Sequence, residues 1–229
     1  MRAVGESLQR VDAIKKVTGQ AQYVDDIIMP RMLYAQVKRS PYPHARILRI
    51  DTSKAEALPG VRSVITGDCY TKRCGLYLED KNFLAVGTAK YRGEAVAAVA
   101  AETPEIADEA VELIEVEYEQ LPAVTNAVEG MKPDAPLIHP DLHTYKVAPI
   151  FHPVPHTNIS HHYKLRKGDV DKAFEACDVV TENTYYIPHV QHVPLEPHCA
   201  VAQYDLDGKV TVWGSIQSPY AVRQAVRRL

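Results

Sequence analysis

Apolar and polar positions along the first 125 or so residues fall in short blocks that switch between the two-residue period of strands and the 3.6-residue period of helices. The pattern predicts strands over Met32–Arg39, Ile47–Ile50, Val61–Ile65, Glu94–Ala100 and Val116–Glu119. Ser40-Pro41-Tyr42-Pro43 stops the first of these, and Leu121-Pro122 stops the last. Glu94–Ala100 is small and apolar almost throughout, the composition of a strand buried on both faces. Two helices lie between the strands. Asp51-Thr52-Ser53 offers side-chain oxygens to cap Lys54–Leu58, which Pro59-Gly60 ends. Thr103 caps the stronger helix, with Pro104 at its first position and Glu105 in its first turn, where the helix dipole favours negative charge. Its stripe is Ile106, Ala110 and Leu113 with Ala107, Val111 and Ile114. Residues 67–83 are polar and irregular and read as a loop excursion. The alternation argues for α/β or α+β and against an all-α bundle.

The pattern changes beyond residue 130. Pro133–Pro155 is rich in proline and poor in periodic apolar positions, so it reads as an extended connector. Order resumes at Gly168: Asp169 is placed to cap a helix with Val170, Ala173, Phe174 and Cys177 at i, i+3, i+4 and i+7. Val179–Ile187 reads as a strand. Cys199–Tyr204 and Lys209–Ser215 flank Asp205-Leu206-Asp207-Gly208, a hairpin signal. Ser218-Pro219 opens a last helix with Val222, Ala225, Val226 and Leu229 on one face, and no Gly or Pro follows the stripe. Such a stripe docks on its own chain or draws a partner, a second copy in a homo-oligomer included.

Composition narrows the classes. With 46% hydrophobic and 24% charged residues, the 229-residue chain has the make-up of a folded globular protein. Lys+Arg 26 against Asp+Glu 29 gives a net charge of −3, which supplies no attraction for nucleic acid or anionic membrane. No apolar run approaches the roughly 20 residues that span a bilayer. Met1–Val11 has no apolar core of a secretory signal, so a cytoplasmic location and reduced thiols are expected. Cys69 and Cys74 lack the spacing of a zinc ribbon or redox motif, and Cys177 and Cys199, at periodic apolar positions, are expected to be buried and inert.

Nine of ten histidines lie between His139 and His198. His139/His143 and His152/His156 have the offset that puts two imidazoles on one helical face, but Pro140, Pro153 and Pro155 interrupt any such helix. His189, His192 and His198 lie near Glu196, again among prolines. Solvated or hydrogen-bonding histidines are the favoured reading, and no metal ligand is assigned. A dinucleotide fingerprint, a phosphate loop and a nucleophile elbow are all missing from the chain. Gln217 is the most informative position. It follows an alternating strand and precedes a helix, where a neutral amide can donate to an oxo or phosphate oxygen without bringing charge. The same amide could equally satisfy a turn.

Several stretches, taken together, resemble the molybdopterin-binding large subunit of the xanthine dehydrogenase/aldehyde oxidase family of molybdenum hydroxylases. Arg10–Gly19 with Ala21–Asp26 is similar to the family's opening sequence, and Arg39-Ser40-Pro41-Tyr42-Pro43-His44-Ala45-Arg46-Ile47 resembles its RSPxPHARI element. Leu58–Val61, Tyr91–Val99 and Val116–Val124 continue in the expected order. Gly168-Asp169-Val170 with Phe174, then Gln191–Ala202, resemble the first helix and the HxxxEPxxAVA stretch of the cofactor domain. Trp213-Gly214-Ser215-Ile216-Gln217-Ser218-Pro219 with Val222-Arg223 resembles its WSSTQxPxxVR element, with Ile216 where threonine is usual.

The resemblance implies an α+β fold: a small α/β hammerhead domain over 1–130, a Pro/His-rich connector over 131–160, and over 161–229 the first, incomplete segment of a mixed α/β molybdopterin-binding domain. It implies that Gln217 lies on the side of the molybdenum's oxo ligand. The implied reaction is oxidation of an aromatic heterocycle or aldehyde with oxygen derived from water. No complete catalytic set is expected in this chain, because the GGGFGGK-type loop, the later pterin-binding segments and the general-base glutamate are missing. Activity and cofactor binding are therefore expected only with the remaining molybdopterin-binding portion, with iron–sulfur clusters and FAD on partner chains. The alternative is a non-catalytic scaffold or assembly module that keeps the hammerhead fold without cofactor.

Overall fold

Seven small apolar residues in a row suit the middle of a sheet, and Ala95–Ala101 has both edges paired. Ala97, Val99 and Ala101 are buried on one face, while on the other Val96 is buried and Ala98 and Ala100 are half-buried. The strand is therefore not fully covered on both faces as its composition suggested. The structure, a computed structural model, describes residues 4–227. In chain order its elements are α1 (Ala13–Val17), β1 (Tyr34–Arg39), β2 (Ala45–Asp51), α2 (Ser53–Glu56), β3 (Val61–Thr66), β4 (Thr88–Ala89) and β5 (Ala95–Ala101). There follow α3 (Pro104–Leu113), β6 (Glu115–Gln120), α4 (Ala127–Gly130), α5 (Val170–Glu175), β7 (Ala200–Tyr204), β8 (Val210–Gly214) and α6 (Pro219–Val226). The fold is α+β, as expected, and all its sheet pairings are antiparallel.

Two compact units divide the chain, one made of 31–181 with 221–229, the other of 1–30 with 182–220. In the larger unit β5 is hydrogen-bonded to β1 on one side and β3 on the other. Ala97 and Ala101 of β5 and Ala107 and Ala110 of α3 are fully buried in one cluster with Ala55, Val99, Val111 and Ile114. Alanine at both surfaces lets the helix approach closely, so the packing rests on contact density and not on large side chains. Thr103 Oγ1 accepts from Ile106 N at 3.3 Å and Pro104 occupies the first turn, so the start of α3 is the one its sequence encodes. At α2 the cap is shared. Asp51 Oδ1 accepts from the Ser53 amide at 3.1 Å and its hydroxyl at 2.6 Å, and Gly60, at φ +92, turns the chain into β3. A second sheet of the same unit has the order β4-β2-β6, with Ala45 and Ala89 paired and fully buried.

The proline-rich stretch is less free than its composition suggests. The Glu79 amide donates to the Lys146 carbonyl and the Ala148 amide to the Tyr77 carbonyl, so the stretch pairs with the 67–83 loop. Leu78, Leu142 and Tyr145 form a small buried cluster there. Backbone pairing with a loop far away in sequence has no local signature.

Val179–Ile187 is a correction: it forms no strand. Val179, Tyr185, Tyr186 and Ile187 are between 77% and 88% exposed, and none of them joins a ladder among the described residues. β-branched and aromatic composition favours a pleated surface but cannot supply the neighbouring strand. Cys177 is a second correction, exposed with its thiol donating to Ala173 O at 3.1 Å, because α5 leaves its apolar residues Val170 and Phe174 exposed. Cys199 is half-buried. Leu229, the last residue of the expected apolar stripe, lies outside the described residues.

Candidate functional site

In the smaller unit β7 and β8 form the expected hairpin, with Val201 opposite Trp213 and Val201 buried. Gly208, at φ +84, closes the turn, where its amide donates to Asp205 O at 2.9 Å. The residues after β8 are tied to those before β7. Ser215 Oγ accepts from the Cys199 amide at 2.9 Å and donates to the Pro197 carbonyl at 2.9 Å, while the Ser215 amide donates to Cys199 O at 3.1 Å. This clasp joins the two elements Gln191–Ala202 and Trp213–Pro219, which the sequence keeps apart.

Gln217 follows two residues beyond the clasp, in the bend between β8 and α6. It is exposed, and its amide makes no side-chain hydrogen bond among the described residues. The local signals that placed it between a strand and a helix are therefore good. The setting differs from an open parallel sheet, however, because the strand before it is one arm of an antiparallel hairpin. Gln217 and Ser218 are the exposed polar residues of the bend, ahead of Pro219 in the first turn of α6.

Glu196 is employed structurally. Its Oε1 accepts from the Val24 amide at 3.2 Å, fastening a 3-10 turn at Val24–Asp26 that also holds Tyr23 N against Asp26 Oδ2 at 2.8 Å. His189, His192 and His198 are exposed. Among the described residues no three His, Cys, Asp or Glu side chains converge as a metal site. In the larger unit the histidines pair otherwise than the four-residue spacing suggests. His143 faces His156 with ring centroids 5.0 Å apart, and His152 faces His161 at 5.7 Å. His139 Nδ1 lies 3.0 Å from the Tyr145 hydroxyl; burial, then the charges of Lys90 and Arg73, hold its pKa below the ordinary value against the opposing Asp80. Burial pushes the Cys74 thiol pKa up, so it stays protonated at neutral pH. Neither thiolate nor imidazole of these groups is arranged for covalent catalysis.

The donor set decides what this chain can offer a molybdenum cofactor. Without converging thiolates or carboxylates, the described residues supply no ligand set; Gln217 supplies an unengaged neutral hydrogen-bond donor. A neutral amide donor is chemically compatible with an oxo or phosphate oxygen.

Comparison with known proteins bears on the same two regions. A family model described as "Aldehyde oxidase and xanthine dehydrogenase, a/b hammerhead domain" matches residues 18–122. One described as "Molybdopterin cofactor-binding domain" matches residues 151–229. The chain is 37% identical over 227 residues to the nicotinate dehydrogenase large molybdopterin subunit of Eubacterium barkeri, covering 98% of this chain and 50% of that protein. It is 37% identical over 222 residues to a probable xanthine dehydrogenase subunit of Bacillus subtilis, covering 96% and 28%. The solved structure of reconstituted CO dehydrogenase from Oligotropha carboxidovorans superposes with a TM-score of 0.80 at 33% identity, covering 98% of this chain and 29% of that one. The chain thus spans half the length of the first relative and under a third of the other two. The chain belongs to the xanthine dehydrogenase/aldehyde oxidase family of molybdenum hydroxylases, with an α/β hammerhead domain followed by the beginning of a molybdopterin cofactor-binding domain.

Proposed function

We propose that this chain forms part of the large subunit of a molybdenum-dependent hydroxylase that oxidises an aromatic heterocycle or an aldehyde, and that it is inactive by itself. The observation that carries this reading is Gln217, exposed and unengaged beyond the Ser215 clasp. When bound, the molybdenum cofactor supplies the two-electron redox capacity for hydroxylation with oxygen from water. This chain's part is to fix the bend by the Ser215 clasp and to present one neutral amide donor that can hydrogen-bond an oxygen of the group. The remaining molybdopterin-binding portion, an iron–sulfur subunit and an FAD subunit are the partners of this proposal, and cytoplasm its location. Description of the relatives as a large molybdopterin subunit and as a xanthine dehydrogenase subunit supports it. Among the described residues no helix is long and apolar enough to cross a membrane. The division into hammerhead over 1–130, connector over 131–160 and cofactor-domain segment over 161–229 belongs to the same proposal.

Molybdenum content, measured in the chain alone and in complex with the rest of the subunit and its partners, tests the reading. Metal is expected in the complex; none in any complex favours the scaffold. In the loaded complex Gln217→Ala is expected to slow turnover roughly two- to twelvefold, the worth of a net hydrogen bond of about 0.5–1.5 kcal/mol, with assembly unchanged. Unaltered turnover would remove Gln217 from the site.

A further inference from the structure

The stretch Arg39–Ile47 carries an arrangement that the proposed function leaves unused. It enters β2 at Ala45, and the two-residue period of a strand sends Ala45 to one face and His44 and Arg46 toward the other. The register pairs Ala45 with Ala89 and Arg46 with Thr88. Because Ala45 and Ala89 are fully buried, Thr88 and Lys90 share the opposite face with His44 and Arg46. These four side chains line a groove of about 480 Å3, to which Arg73 is added from the 67–83 loop.

Charge in the groove is uneven. Arg46 is paired with Glu119, and Asp141 is the one carboxylate among the lining residues. Arg73 lies over the Tyr145 ring, 4.2 Å from its centroid, and Lys90 is half-buried; neither forms an ion pair among the described residues. The lining is net positive. His139, next to the lining residues Ile138 and Pro140, registers this field, since Lys90 and Arg73 both hold its pKa down. His44 is 6% exposed, and its Nδ1 lies 2.7 Å from the Pro122 carbonyl. A carbonyl only accepts, so Nδ1 carries the proton and Nε2 is the ring atom left for another partner. Leu121, Leu137 and Ile138 give the groove an apolar wall.

We propose that this groove binds a phosphate group, with Lys90 and Arg73 as its charge partners and the Thr88 hydroxyl as a neutral donor. A dianion with several acceptor oxygens uses donors that reach it from more than one wall, and here the sheet face and the 67–83 loop provide them. The apolar wall suits the organic part of a phosphate ester. The groove shares no residue with the bend that carries Gln217 and does not rest on the molybdenum reading.

Calorimetric titration of the 229-residue chain with inorganic phosphate and with adenosine monophosphate, at ionic strength held constant with chloride, tests it. Saturable binding is expected, weakened about tenfold by Lys90→Gln and by Arg73→Gln and unchanged by Lys209→Gln in the hairpin turn. Tighter binding of the nucleotide assigns the site to esters, whereas equal binding assigns it to the free anion; both support it. No saturable binding of either probe, or equal binding by the Lys90→Gln/Arg73→Gln double variant, overturns it. A readout without substitutions is the acetylation rate of Lys90 in the unmodified chain. At saturating nucleotide it is expected to fall at least threefold while that of Lys209 holds, and an unchanged Lys90 rate overturns the proposal.

Discussion

His139 shows how one side chain joins packing to pH. Half-buried beside Tyr145 and near two cations, it resists protonation in the folded chain, so its pKa lies below the ordinary 6.5. The unfolded chain takes up that proton near pH 6.5 and the folded chain only at lower pH, so the unfolded state binds more protons between the two values. The contribution of His139 to stability is therefore complete above about pH 6.5 and is lost as pH falls through the folded value. Thermal unfolding at about pH 7.5 and 5.5 should show a drop in midpoint that shrinks in His139→Asn. An equal drop in both proteins would assign the effect to other groups. Proline between the paired histidines argued against helical metal pairs, and the rings that do meet, His143 with His156 and His152 with His161, meet through loop packing that spacing cannot express.

Among the elements, α3 is the one whose sequence and structure agree at every point, from the Thr103 cap to the stripe that enters the core. Thr103→Ala removes the acceptor for the Ile106 amide and should cost about 1 kcal/mol, lowering the thermal midpoint of the hammerhead unit by roughly 2–8 °C. Thr103→Ser should restore it, and a midpoint unmoved by alanine would show that the cap does not hold the helix start. The hairpin β7–β8 was legible for the same reason, since a turn signal flanked by alternating residues is a local instruction. Val179–Ile187 carried an equally strong composition without becoming a strand, because a strand is completed by its neighbour and not by its own residues.

At the scale of the whole molecule, protection is divided sharply. Residues 34–147 hold almost all of the buried positions, whereas 163–198 are exposed at every residue but Glu196. Backbone that is unburied and outside ladders opens most readily to proteases. Limited chymotrypsin digestion of the chain should therefore cut first at Tyr185 or Tyr186, which are 81% and 88% exposed, and leave 34–147 intact. First cleavage within β1–β6 would contradict this order. Phe174 and Val179 in the larger unit, and Tyr186, Ile187 and Leu195 in the smaller, are exposed apolar residues that the rest of a large subunit would cover under the proposed function.

The sequence by itself determined the α+β class, the α3 helix with its cap, the β7–β8 hairpin and the position of Gln217 between a strand and a helix. Each of these follows from residues within a few positions of one another, through periodicity, capping oxygens and turn glycines. Tertiary structure alone decided that β5 lies between β1 and β3, that the proline-rich stretch pairs with the 67–83 loop, and that Ser215 clasps Pro197 and Cys199. It also decided that His44, Lys90 and Arg73, far apart in the chain, line one groove. The physical reason is the same throughout: a hydrogen bond or charge contact between distant residues has its energy set by geometry that no local window of sequence contains.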